Sequence, residues 1–308
     1  MKILIIGTPR QATLNVGSNG LGRHIYDFIE QFVKQKCDVT TILHEDSKLE
    51  WDTVKQENFT ELPTLNKIYK FILDNKFDVV LDNSHFHTLS KTYPELPVVN
   101  FIHDEECKYM PTNTILGNKH QLESYPKGRV FRTGINFDKY SLYPLKKDYY
   151  SFCGKIERRK GWDLALSATQ RCKIKTIFAG PNTEGFAQNI PNWIGEIRDH
   201  KRFCEFVGNS KGLFYPSRAD AGGMGIWEAA ALGTPTLTTA DSGARCNVIH
   251  GKTGYVASSF DELCESVNKV SDLDPKQIRE EARLIWDLNH NFKNIFKQLE
   301  DFCNGERW

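Results

Sequence analysis

Seven residues separate Asp220 from Glu228 in the segment Tyr215-Pro-Ser-Arg-Ala-Asp-Ala-Gly-Gly-Met-Gly-Ile-Trp-Glu-Ala-Ala-Ala-Leu-Gly-Thr-Pro235, and glycines occupy 222, 223 and 225 between them. A strand ends, a glycine turn follows, and a helix begins near Met224. Backbone N–H groups at such a helix start bind an anion without side-chain help. The glycines let a ligand approach the main chain closely. Glu228, further along the helix, offers a carboxylate that can accept two hydrogen bonds from a vicinal diol such as the hydroxyls of a ribose. The plain structural alternative makes Asp220 a helix cap and Glu228 a solvated helix residue.

A second cluster, Gly154-Lys155-Ile-Glu-Arg-Arg-Lys160-Gly161, follows another strand. Lys155 and Lys160 are the lysines of this basic cluster; a lysine supplies a point charge rather than a bidentate fork. An exposed basic turn is the alternative for Arg158 and Arg159. Near the N-terminus, Ser18-Asn-Gly20-Leu-Gly22-Arg23-His24 forms a glycine loop after the opening strand. His103 closes the apolar run Val99-Asn-Phe-Ile. Taken singly, neither of these last two signals is specific.

The elements that must position these residues repeat one grammar twice. Lys2–Ile6, Val39–Leu43, Asp78–Leu81 and Pro97–Ile102 read as buried parallel strands, with helices over Arg23–Lys36 and Leu65–Asn75. The pattern restarts with strands at Tyr149–Cys153, Lys175–Ala179, Gly212–Tyr215 and Thr236–Thr239. Its helices are Gly161–Thr169, Met224–Leu232, Phe260–Val270 and Pro275–Asn289. The alternation predicts an α/β fold of parallel sheets covered by helices. Leu142–Lys147, with Pro144, reads as the linker. Ligands in such sheets sit at the carboxyl ends of strands, which is where the glycines and charges fall.

At this point the chain resembles the retaining glycosyltransferases of the glycogen-synthase and sucrose-synthase type, the glycosyl transferases group 1. The resemblance rests on an acid, seven residues and Glu, preceded by Pro-Ser and followed by Gly-Thr-Pro. It extends to Gly154–Gly161, to Thr133-Gly-Ile-Asn136 and to Ile249-His-Gly251-Lys-Thr-Gly254. It implies the GT-B architecture, two Rossmann-like domains facing across a cleft. An acceptor-side domain would span 1–145, with a C-terminal helix of about 287–308 and the final helices, carrying Trp286 and Phe292, packing back on it; a donor domain would span 146–286. The implied activity is hexosyl or pentosyl transfer, with retention, from a UDP- or GDP-linked sugar. In the roles it implies, Asp220 touches the donor sugar, Glu228 holds the ribose, and Lys155 and Lys160 face the diphosphate. Gly20, Gly22, Gly154, Gly222, Gly223, Met224 and Gly225 line the donor, and His103 lies near the sugar's reacting carbon. Asp220 stands where the family has Glu, and Lys155 where it has Arg. No metal and no cofactor beyond the nucleotide sugar is implied.

The bulk composition fits a two-domain globular enzyme. Of 308 residues, 40% are hydrophobic and 26% charged. A net charge of +1 gives no reason to expect a nucleic acid or an anionic membrane as partner. Eight cysteines without a CxxC pair read as free thiols in a reducing cytoplasm. No run approaches the ~20 apolar residues of a membrane span. The acceptor is expected to be a glycan, a lipid-linked sugar or a modified nucleic-acid base; His85 and His87 are candidates to line its side. A non-catalytic sugar-nucleotide binding protein, or a sugar-nucleotide epimerase on the same scaffold, is the alternative reading. A nicotinamide dehydrogenase fits poorly, because Gly20-Leu-Gly22 lies too far beyond the opening strand.

Overall fold

A computed structural model describes residues 1–8, 12–13, 20–59, 64–84, 87–103 and 111–308. The chain divides into two compact units, Met1–Phe131 with Asn289–Trp308, and Arg132–Leu288.

The first unit contains β1 (Lys2–Ile6), α1 (Gly20–Lys34), β2 (Asp38–His44), β3 (Lys55–Phe59), α2 (Leu65–Asn75), β4 (Val79–Asp82), α3 (Thr88–Thr92), β5 (Val98–Ile102), β6 (Thr114–Leu116) and β7 (Arg129–Val130). All pairings are parallel, in the order β3-β2-β1-β4-β5-β6-β7. Ile3 to Ile6 are buried without alternation because helices cover both faces of a parallel sheet. On α1, the buried Ile25, Phe28, Ile29 and Phe32 recur at helical spacing. The same helix buries His24 against Phe28, ring centroids 4.8 Å apart, and burial pushes this imidazole down to about 4.

The second unit contains β8 (Tyr150–Cys153), α4 (Trp162–Cys172), β9 (Thr176–Ala179), α5 (His200–Gly208), β10 (Leu213–Tyr215), α6 (Met224–Ala231), β11 (Thr236–Thr239), β12 (Gly254–Ala257), α7 (Phe260–Lys269) and α8 (Pro275–Trp286). Its parallel sheet runs β12-β11-β10-β8-β9 around a core that includes Phe152, Phe178, Phe214 and Leu237. The segment expected as a linker is fastened inside this unit. Tyr143 donates its N–H to Leu232 O at 3.0 Å, and the Lys146 ammonium reaches Gly208 O at 2.7 Å and Thr234 Oγ1 at 2.9 Å.

Two expectations change at the C-terminal end. The single helix read over Pro275–Asn289 is broken at Asp287, whose backbone is extended (φ −78°, ψ 113°). There the chain bridges Ile135, and the carbonyl of Trp286 accepts the Ile135 N–H at 3.0 Å. Trp286 therefore stays in the core of the second unit. The helix that follows, α9 (Leu288–Cys303), belongs to the first unit almost entirely. Phe292 packs edge-on against Phe32 (4.9 Å) and Phe28 (6.0 Å), and Trp308 exchanges backbone and side-chain hydrogen bonds with Asn113. The strands β3, β6, β7 and β12 and the helix α5 add to what the sequence predicts; β3 (KQENF) has no apolar run because it is an edge strand.

Among the described residues no helix is long and apolar enough to cross a membrane. Seven cysteines are described, all as free thiols.

Phe292→Ala should destabilise the first unit by about 3–5 kcal/mol, seen as a lower urea midpoint; an unchanged midpoint would mean α9 adds nothing to that core. His24 also gives the unit a pH dependence. Below its ordinary value of 6.5 the unfolded chain takes up a proton that the buried imidazole, held at about 4, refuses. Stability should therefore fall by about 3 kcal/mol as the pH drops across that window and level off below it. His24→Leu should remove this slope in acid denaturation curves.

Candidate active site

In the second sheet the chain leaves β8 for β9 on one side and returns to β10 on the other. β8 and β10 are neighbours, with Leu213 opposite Ser151 and Phe214 opposite Phe152. The loops after these two strands therefore open side by side at a topological switch point, the usual ligand position in a doubly wound sheet. They are the two loops that carry Lys155 to Gly161 and Asp220 to Gly223.

The loops are knitted through their backbones. Gly161 adopts φ +73°, and a Cβ there would lie 1.9 Å from the Pro216 carbonyl oxygen, so only glycine permits the approach. Arg218 donates its N–H to Arg159 O at 2.9 Å, and Ser217 Oγ reaches the same oxygen at 3.2 Å. The Arg218 guanidinium clamps Asp163 through two bonds of 2.8 Å. The glycine turn is held from a third direction. Asn247 donates to Gly222 O at 2.5 Å, and a Cβ on Gly243 would meet Ala221 O at 2.5 Å.

This knitting brings Lys160 and Asp220 together. The ammonium lies 2.5 Å from Asp220 Oδ2, and the Tyr215 hydroxyl donates to the same oxygen at 2.6 Å. Burial pushes the Asp220 carboxyl up, but Lys160 and Tyr215 outweigh that and hold it below the ordinary value. Burial first, then the neighbouring Asp220 carboxylate, raise the Tyr215 phenol well above its ordinary value, so it stays a donor. Asp220 does not cap α6: the cap residue is Gly223, at φ +76° and without a side-chain bond, while Asp220 accepts the Gly222 N–H at 3.5 Å. A Cβ on Gly223 would press on the Tyr215 ring at 2.7 Å. The first amides of α6, at Met224 and Gly225, open beside this turn.

Glu228 does not face solvent. It is 2% exposed and accepts the Tyr140 hydroxyl at 2.9 Å on Oε1. Lys155, half exposed beyond Gly154, stands 3.8 Å from Glu157, which also takes Arg159 at 3.6 Å. Such exposed pairs contribute little. Lys160 is thus the most enclosed ammonium of the basic loop. The triplet Asp272-Leu273-Asp274 has the spacing of a metal-binding motif, but Asp274 caps α8 by accepting the Gln277 N–H at 2.8 Å. Among the described residues no group of three or more His, Cys, Asp or Glu side chains is arranged to hold a metal ion.

The remaining candidates lie in the first unit. Gly20 opens α1 and Gly22 sits in its first turn, so both belong to the helix start and not to a preceding loop. His103 follows β5; its Nε2 is 3.0 Å from Asn83 Oδ1, and its ring lies edge-on to His24 at 6.0 Å. His87 is buried, with Nδ1 4.0 Å from Asp82. Ser18, His85 and Asp104 fall outside the described residues. Sequence reasoning missed the hydroxyls of Tyr140 and Tyr215, the carbonyl clamp of Asn247 and the counter-ion Glu157. Only Glu157, set among four basic residues, carried a local signal.

Gly161→Ala should cost about 2 kcal/mol or more from backbone strain and the displaced Pro216 carbonyl. Thermal unfolding reads this directly, and a variant as stable as the parent would mean that the loops are not locked together.

The sequence profile of the family described as glycosyl transferases group 1 matches residues 136–284, within the second unit. No curated protein matches the chain. Solved structures similar to it include AviGT4, a glycosyltransferase involved in avilamycin A biosynthesis, with 15% identity, 100% of this chain and 99% of that one covered, and a TM-score of 0.78. Sucrose-phosphate synthase from Thermosynechococcus elongatus follows at 13% identity, 98% and 99% coverage, and 0.78. HepE of Anabaena in complex with UDP gives 16% identity, 98% and 100% coverage, and 0.76. Likenesses at such identity carry the fold, and the profile carries the family. Residues 136–284 match the glycosyl transferases group 1, and the chain is a nucleotide-sugar-dependent glycosyltransferase of the GT-B fold.

Proposed function

We propose that the enzyme transfers a hexose or pentose from a UDP- or GDP-linked donor to an acceptor hydroxyl with retention of anomeric configuration. The observation that carries this reading is the enclosed Lys160 ammonium beside the glycine turn and the start of α6, at the switch point of the second sheet. In the proposed complex Lys160, assisted by Lys155, faces the diphosphate. Gly154, Gly222, Gly223, Met224 and Gly225 let the donor approach the main chain, and Glu228 accepts the ribose hydroxyls. Asp220 meets the donor sugar. The solved structures of HepE hold UDP, UDP with glucose, and UDP-glucose, which supports a uridine nucleotide as the first donor to test.

For the chemical step we propose a front-face route. The bond from the sugar's anomeric carbon to the diphosphate oxygen breaks while the bond to the acceptor oxygen forms on the same face. The acceptor's proton passes to the departing diphosphate. The engagement of Asp220 by both Lys160 and Tyr215 supports this route over covalent attack by that carboxylate. Lys160 and the amides of α6 supply fixed positive charge where the leaving group develops negative charge, so the proposed step uses no metal. The proposed acceptor is a glycan or lipid-linked sugar, with a modified nucleic-acid base as a further class to screen; the proposed compartment is the cytoplasm.

Lys160→Ala and Glu228→Ala should each reduce transfer by about 100-fold or more, read as free nucleoside diphosphate released with and without acceptor. EDTA should leave the rate unchanged. Full activity in either variant overturns the site assignment, and loss of activity with EDTA overturns the metal-free step.

A further inference from the structure

We infer that Tyr215 is a positioning residue of the transfer reaction, fixing the Lys160 ammonium through the Asp220 carboxylate. The inference rests on the proposed role of Lys160 at the donor diphosphate. Both donors converge on one oxygen, Oδ2 of Asp220, at 2.5 Å from Lys160 Nζ and 2.6 Å from the Tyr215 hydroxyl. Charge-assisted bonds of this kind are roughly twice as strong as neutral ones. The three groups differ greatly in how firmly they are held, and that difference gives the arrangement its direction.

Tyr215 is the fixed end. It closes β10, its carbonyl accepts Thr238 Oγ1 at 2.8 Å and the Ser217 N–H at 2.9 Å, and its ring is wedged under Gly223 and Gly225. A phenol on an immobilised ring points in one direction. Lys160 is the loose end: four rotatable carbons carry a point charge with three equivalent donors, and ordering such a side chain costs conformational entropy. Asp220 stands between them, and the hydroxyl selects the carboxylate rotamer that receives the ammonium. The ammonium also lies 6.0 Å from the centre of the Tyr215 ring, at the edge of cation–π reach. Because the phenol remains protonated, the chain Tyr215–Asp220–Lys160 keeps one hydrogen-bond direction across the working pH range.

Its consequence falls on the rate more than on binding. A lysine displaced by a fraction of an ångström still attracts a diphosphate, yet it serves the developing charge on the leaving oxygen poorly. Tyr215→Phe keeps the ring that supports Gly223 and removes only the hydroxyl. It should lower kcat about tenfold with the donor KM within twofold of the parent. In an Asp220→Asn background the same substitution should cost less than twofold, since the link to Lys160 is already cut. Acylation of Lys160 by N-hydroxysuccinimidyl acetate, followed by mass spectrometry, should be several-fold faster in Tyr215→Phe than in the parent. A parental kcat and labelling rate, or an equal loss in both backgrounds, overturns the inference. A parent enzyme that transfers no sugar refutes the functional reading instead, and the labelling rate still decides whether Tyr215 holds Lys160.

Discussion

The Pro216 carbonyl oxygen lies where any side chain on residue 161 would have to be, and the organisation of the second unit's site follows from that contact. Because residue 161 is glycine, the loop after β8 settles against the loop after β10. The backbone of Arg159 then receives both Arg218 and Ser217. Only with the loops in this register does Lys160 reach Asp220, sixty positions away in sequence. The parallel sheet supplies the neighbourhood, since β8 and β10 are adjacent at the switch point. The glycine contact supplies the last few ångströms.

Electrostatics then divides the charged groups of this region into two kinds. Lys155 and Arg159 lean on Glu157 near the surface, where water screens them. Lys160 and Asp220 are largely enclosed, and their pairing bears on the ionisation of Asp220. The carboxyl stays charged in spite of burial because two donors meet on one oxygen. Each acid of the motif is in fact approached by a tyrosine hydroxyl, Asp220 by Tyr215 and Glu228 by Tyr140. Both phenols come from outside the helix that bears Glu228.

How much of this can be read from the residues alone depends on distance along the chain. Apolar runs such as Lys2–Ile6, and the helical spacing in α1, announce their elements because the periodicity is local. The turn from Tyr215 to Met224 is legible for the same reason: strand, glycines and helix start are contiguous. Tyr140 and Glu228 lie 88 residues apart, and no local pattern in either segment points to the other. Short or edge strands such as β3, β6 and β7 escape because they bury too little apolar surface to show a run. The break at Asp287 escapes because its cause, the bridge to Ile135, lies about half a chain away. Asp220 as a helix cap and Glu228 as a solvated residue were both reasonable on local grounds, and tertiary packing overrode each.

The return of α9 to the first unit has a consequence for how the protein is made. The core around Phe28 and Phe32 lacks Phe292 until the entire second unit has been synthesised. Domains that emerge from the ribosome in order usually fold in order. Here the part translated first is completed last, and it must hold its unfinished apolar face through the synthesis of Arg132–Leu288. The second unit has no such wait, so the nascent chain carries a finished second unit before its older half has closed.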